Sequence, residues 1–139
     1  MNKRIGFTCG TFDLFHAGHV VMLREAKQSC DYLIVGIQTD PSIDRPQKNT
    51  PVQSIIERQI QVNACRYVDE TIVYTTEEDL LVILKTLPID VRILGNEYMG
   101  KMYTGRDLPI EVVYNKRQHT FSSTALRERV YLAEYQKTT

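Results

Sequence analysis

Arg4-Ile5-Gly6-Phe7-Thr8-Cys9-Gly10-Thr11-Phe12-Asp13-Leu14-Phe15-His16-Ala17-Gly18-His19 lies near the start of a 139-residue chain. Its first half, Arg4 to Cys9, has the apolar character of a buried strand, and Gly10 opens a loop. The stretch that follows, His19 to Gln28, places Val20, Leu23 and Ala26 on one helical face. His16 therefore falls just before the helix and His19 in its first turn. At a separation of three, both imidazoles can face one point near the helix N-terminus. Free backbone N–H groups and a partial positive charge make that point suited to phosphate. Gly10 and Gly18 remove side-chain bulk where the backbone must approach a ligand closely.

Outward from this stretch, apolar runs alternate with helical patterns. Tyr32 to Gln38 reads as a strand buried on both faces. After a polar loop, Pro51 suits a first helical turn, predicting a helix through Ile55, Ile56, Ile60 and Val62 to about Ala64. Glu70 to Tyr74 is a third strand. Thr75 with Glu78 has capping-box spacing before a helix carrying Leu80, Leu81, Ile83 and Leu84. Asp90 to Leu94 and Ile110 to Tyr114 complete five strands, and a last helix begins near Ser122 or Ser123. This alternation predicts one α/β domain over 1–139, Rossmann-like and doubly wound, on a five-stranded, mainly parallel sheet. Ligands of such folds bind at the carboxyl ends of the strands.

Lys plus Arg equals Asp plus Glu at 17 each, so no overall field favours nucleic acid or a membrane. A bound polyanion must be held by a local cluster of cations. The three cysteines, Cys9, Cys30 and Cys65, lack paired spacing and read as buried free thiols. With no leader and no apolar run of membrane length, the expected compartment is the cytoplasm.

Near the C-terminal end, Ser122, Ser123 and Thr124 sit at a predicted helix start, where hydroxyls cap and amides are free. With Lys116 and Arg117 beside it, this second helix N-terminus suits the β- and γ-phosphates of a nucleotide. His119 reads as an ordinary loop histidine.

The stretch Gly10 to His19, GTFDLFHAGH, resembles the first motif of the HxGH nucleotidyltransferase superfamily, which includes the much longer class I aminoacyl-tRNA synthetases. Leu14 after Asp13 is similar to the cytidylyltransferase branch. Arg66 to Glu70 (RYVDE), the pair Thr39-Asp40, and Gly95 to Lys101 (GNEYMGK) resemble blocks of bacterial glycerol-3-phosphate cytidylyltransferases. Arg117 to Thr124 (RQHTFSST) aligns with the second family motif, although Gln118 replaces its threonine and Thr120 its glycine.

The resemblance implies CTP as donor, a small phosphorylated acceptor such as glycerol 3-phosphate, and Mg2+ carried mainly by the triphosphate. It implies catalysis by His16, His19 and Arg117. Gly10, Thr11, Phe12, Gly18, Lys48, Arg66, Ser122, Ser123 and Thr124 would bind nucleotide, and Asp13, Asp40 and Lys101 the acceptor. Asp13 and Asp40 could equally orient backbone turns or help position a cation. It further implies a homodimer. Another polyol or sugar phosphate, phosphoethanolamine, or ADP-sugar or FAD synthesis stays open, as does a catalytically silent nucleotide-binding regulator or a plain interaction module.

Overall fold

Tyr32–Gln38 (YLIVGIQ) has no side that tolerates water, and the chain buries six of its seven residues by making it an inner strand. The computed structural model describes residues 3–117 and 119–138. Its elements run β1 (Ile5–Gly10), α1 (Ala17–Lys27), β2 (Tyr32–Gln38), α2 (Ile55–Asn63), β3 (Glu70–Tyr74), α3 (Glu77–Thr86), β4 (Val91–Leu94), a 3₁₀ turn (Asn96–Tyr98), β5 (Glu111–Tyr114) and α4 (Ser123–Thr138). The strand order is β3-β2-β1-β4-β5, and every pairing is parallel.

Alternation along the strands divides the core between the two faces. Leu33, Val35 and Ile37 of β2 pack with Leu23 and Ala26 of α1 and Val62 of α2. Ile34, one residue out of phase, joins Phe7 and Tyr74 against Leu80, Ile83 and Leu84 of α3. In β4 the same rule sends Val91 and Ile93 to the first face, leaving Arg92 for the second. The strand order turns back between β1 and β4, so the loops after these neighbours diverge and leave a crevice at the carboxyl edge.

Two helix starts differ from expectation. α2 begins at Ile55, not Pro51: Ser54 Oγ accepts from the Glu57 amide (3.2 Å) and Glu57 accepts from the Ser54 amide (3.1 Å). This reciprocal box satisfies donors that a proline leaves untouched. α3 is capped by Thr76 with Asp79 rather than by Thr75 with Glu78, the hydroxyl accepting from the Asp79 amide at 3.0 Å. Thr75 is occupied elsewhere, its hydroxyl accepting from Thr39 (2.9 Å) and its carbonyl from Gln38 (3.0 Å).

The cysteines are free, yet only Cys65 is buried; Cys9 and Cys30 are half-buried. Among the described residues no helix is long and apolar enough to cross a membrane.

Candidate active site

His16 is the N-cap of α1, in extended backbone, and its ring does what a serine or aspartate normally does there. His16 Nδ1 accepts from the Gly18 amide at 3.0 Å, while His19 Nδ1 accepts from the His16 amide at 3.1 Å. An imidazole that accepts at Nδ1 carries its proton at Nε2, so both rings hold an Nε2–H donor in the neutral form. Their centroids lie 4.0 Å apart, with His19 stacked on Phe15 and tilted against Phe12. Burial first, then the charge of His16, pushes His19 down to about 4, against a smaller opposing pull from Asp13. Burial, helped by His119, lowers His16 as well. The pair is therefore uncharged near pH 7.

Gly18 makes this cap possible. A methyl group at its Cα would lie 2.8 Å from His16 Cε1 and 3.0 Å from both His16 Nδ1 and Phe121 Cβ. Gly18→Ala should swing the His16 ring off its amide and lower turnover by about tenfold or more, with little change in melting temperature. Unchanged turnover, measured as pyrophosphate release, would mean that this ring position is not the working one.

α4 brings the second half of the site. His16 Nε2 meets Ser123 Oγ at 3.0 Å, so the first residues of two helices touch through one hydrogen bond. Ser122 Oγ caps α4 by accepting from the Ala125 amide at 3.0 Å. Between β5 and α4, Arg117 turns the chain with φ +45° and donates to the Phe121 carbonyl at 3.3 Å. His16, His19, Arg117, Ser122 and Ser123 thus line one cleft of about 330 Å³, closed on its far wall by Gly95 and Asn96. His119 also lines it, stacked 5.2 Å from Phe121, and is more than the loop residue its sequence context suggests. Two helix N-termini and a guanidinium around a cleft this size suit a chain of phosphates.

A second cavity, of about 490 Å³, opens beside the first and shares Met22, Gly95 and Glu97 with it. Gly10, Thr11 and Lys48 line this one, together with Arg45, Glu77 and Arg92. The rim between β1 and β2 is fixed by Arg58, which is 2% exposed. Its guanidinium donates to the carbonyls of Thr11 (3.0 Å), Gln38 (2.6 Å), Thr39 (2.7 Å) and Gln53 (3.2 Å).

Other expected site residues line neither cavity. Phe12, in left-handed backbone at φ +54°, is 3% exposed and belongs to the core, as its apolar ring requires. The Asp13 carboxylate accepts from the Val52 and Gln53 amides (2.8 and 2.9 Å) and meets Arg127 at 3.6 Å, holding the loop before α2. Asp40 accepts from the Ser42 amide and hydroxyl (2.9 and 2.6 Å) in a local turn. Arg66 leans on Tyr67, 5.2 Å from the ring centroid, in a third depression that Phe15, Val20 and Gln61 also line. Lys101 and Thr124 are exposed and line neither cavity. Gln118 lies outside the described residues.

A parallel sheet that presents paired histidines and a second helix start at its carboxyl edge defines a nucleotide-handling α/β protein. Residues 7–129 match the family model described as cytidylyltransferase-like, and the chain belongs to that family of nucleotidyltransferases. It is 37% identical over 123 residues to the glycerol-3-phosphate cytidylyltransferase of Bacillus subtilis, covering 88% of this chain and 94% of that protein. It is 32% identical over 130 residues to the bifunctional protein HldE of Campylobacter jejuni, covering 93% of this chain but only 28% of that longer protein. Among solved structures, a lipopolysaccharide core biosynthesis protein from Thermoplasma volcanium shares the fold, with TM-score 0.67 and 20% identity, over 85% of this chain and 100% of that one.

Proposed function

We propose that this protein transfers CMP from CTP to the phosphate of a small phosphorylated alcohol, glycerol 3-phosphate, giving CDP-glycerol and pyrophosphate. An acceptor phosphate oxygen forms a bond to the α-phosphorus as the bond to the β-phosphate oxygen breaks and pyrophosphate leaves in line. The observation that carries the reaction type is the pair of neutral imidazoles, each with an Nε2–H, set where two helix N-termini meet. Such donors stabilise charge as it grows on the α-phosphoryl oxygens, and they need no reorganisation to do so. Ser123, now on His16, is a hydroxyl that phosphate can displace. Arg117 and the α4 amides take the charge that collects on the leaving pyrophosphate. No protein nucleophile is required, because a phosphate dianion attacks unaided near pH 7. The choice of acceptor rests on the likeness to the Bacillus subtilis enzyme, which spans nearly its whole length.

Among the described residues no group of three or more His, Cys, Asp and Glu could hold a metal ion. The proposed Mg2+ would arrive with the nucleotide, since it binds through substrate phosphates, water and one or two carboxylates. Glu97, folded over Gly95 between the two cavities, is the carboxylate that would hold it. When bound, Mg2+ neutralises part of the triphosphate charge. We also infer a cytoplasmic enzyme working as a homodimer, which would cover exposed Val130, Tyr131 and Leu132 of α4; light scattering reads its mass.

The testing experiment screens acceptor phosphates against CTP and ATP, scored by pyrophosphate release. CTP with glycerol 3-phosphate should be fastest, activity should vanish with chelator, and Mg2+ should restore it. Equal or faster release with ATP would move the protein to an adenylyltransferase reading; no release with any pair would make it a silent binding module.

A further inference from the structure

We propose that Arg92, a residue of β4 with no role in the reading above, grips the phosphate of the acceptor in the second cavity. The inference rests on the transferase reading and deepens it. Arg92 is 4% exposed, and among the described residues it pairs with no carboxylate. Its guanidinium donates to the Thr104 carbonyl and lies 5.3 Å from the Tyr103 ring centroid, while its Nε–H is buried without a partner.

Arg58 shows what a purely structural buried arginine looks like in the same fold. Four carbonyls surround it and its Nε is satisfied. A buried cation with an unused donor is costly unless an anion completes it. Arg92 lines the cavity that continues into the histidine cleft past Met22, Gly95 and Glu97, so an anion bound there can stand next to the nucleotide.

The same cavity also holds a group for the acceptor's hydroxyls. Glu77 lines it with one carboxylate oxygen buried and unpartnered, while its other oxygen lies 3.8 Å from Arg45. A carboxylate accepts readily from a hydroxyl donor. A guanidinium for phosphate and a carboxylate for hydroxyl, in one cavity, fit a phosphorylated alcohol.

Steady-state kinetics of Arg92→Met, an apolar side chain of similar reach, test this. The KM for glycerol 3-phosphate should rise about tenfold or more, the scale of a lost charge-assisted hydrogen bond, with the KM for CTP within about twofold. Arg92→Lys, keeping the charge without the fork, should fall between. An unchanged acceptor KM, or equal rises in both KM values, would make Arg92 an anchor of the Tyr103–Thr104 loop and overturn the proposal. Should Arg92→Met not fold, the wild-type protein still decides. Its Arg92 Nε–H resonance, assigned through Arg92→Lys, should move with glycerol 3-phosphate and with inorganic phosphate but not with glycerol. A resonance indifferent to both phosphates sinks the idea. The two readings fail separately: a wild-type protein inert in every acceptor assay removes the transferase reading, whereas this resonance reports the anion directly.

Discussion

Turnover of His16→Ala and of His19→Ala should each fall at least about a hundredfold, the cost of removing one preorganised donor to a transition-state oxyanion. The hydrogen bonds add a way to separate chemistry from capping. His19→Asn can still accept from the His16 amide through its side-chain oxygen, so it should keep the helix start and the melting temperature. Its amide nitrogen does not reach the place of Nε2, so turnover should stay low. His19→Gln reaches that place with an N–H donor and should recover part of the rate. Pyrophosphate release and thermal melting on these four proteins are the measurements. Near-wild-type turnover in either alanine variant would remove the imidazoles from the chemistry.

The second large effect is on stability. Folding lowers the His19 pKa from 6.5 to about 4, chiefly through burial. As pH falls, the unfolded chain therefore takes up this proton first. The stabilisation is fully present above pH 6.5 and is lost progressively towards pH 4, with a total of about 3 kcal/mol. Protonation would also put a proton on Nδ1, where the His16 amide now donates, so the cap breaks in the same range. Urea unfolding of wild type against His19→Asn, at steps from pH 7.5 to pH 4, isolates this term from carboxylates that titrate lower. The wild type, matched to the variant at pH 7.5, should fall progressively below it across that range. A constant difference would mean that His19 takes up its proton as readily in the folded chain as in the unfolded one.

The frame of the protein was legible because it rests on short-range rules. Tyr32–Gln38 and Glu70–Tyr74 form strands with the limits that apolar runs and turn residues imply, and His16 and His19 stand where a strand-loop-helix sequence puts them. Helix starts were harder. Ser54 and Thr76 win over Pro51 and Thr75 through reciprocal side-chain bonds that a composition window does not rank. Least visible were the polar groups that long-range packing brings together. Within Asp90-Val91-Arg92-Ile93-Leu94, Arg92 reads as the outward position of an alternating strand, but the loop carrying Tyr103 and Thr104 closes over that face and buries it. Asn115, 4% exposed with both amide atoms unpartnered on the histidine cleft, was hidden in the same way. Arg66, which its family block marked for the site, lines a depression together with Phe15, the ring stacked on His19.

The two cavities divide labour along the chain. The cleft draws its working groups from the residues that start α1 and α4, each tied to the other by His16 and Ser123. The neighbouring cavity is walled largely by the loops after β2 and β4 and by the mouth of α3. On the proposed reading, the groups for reaction stand at the starts of α1 and α4 and those for the acceptor on β4 and α3. Substituting Arg92 or Glu77 would then change what is modified while the starts of α1 and α4 stay as they are.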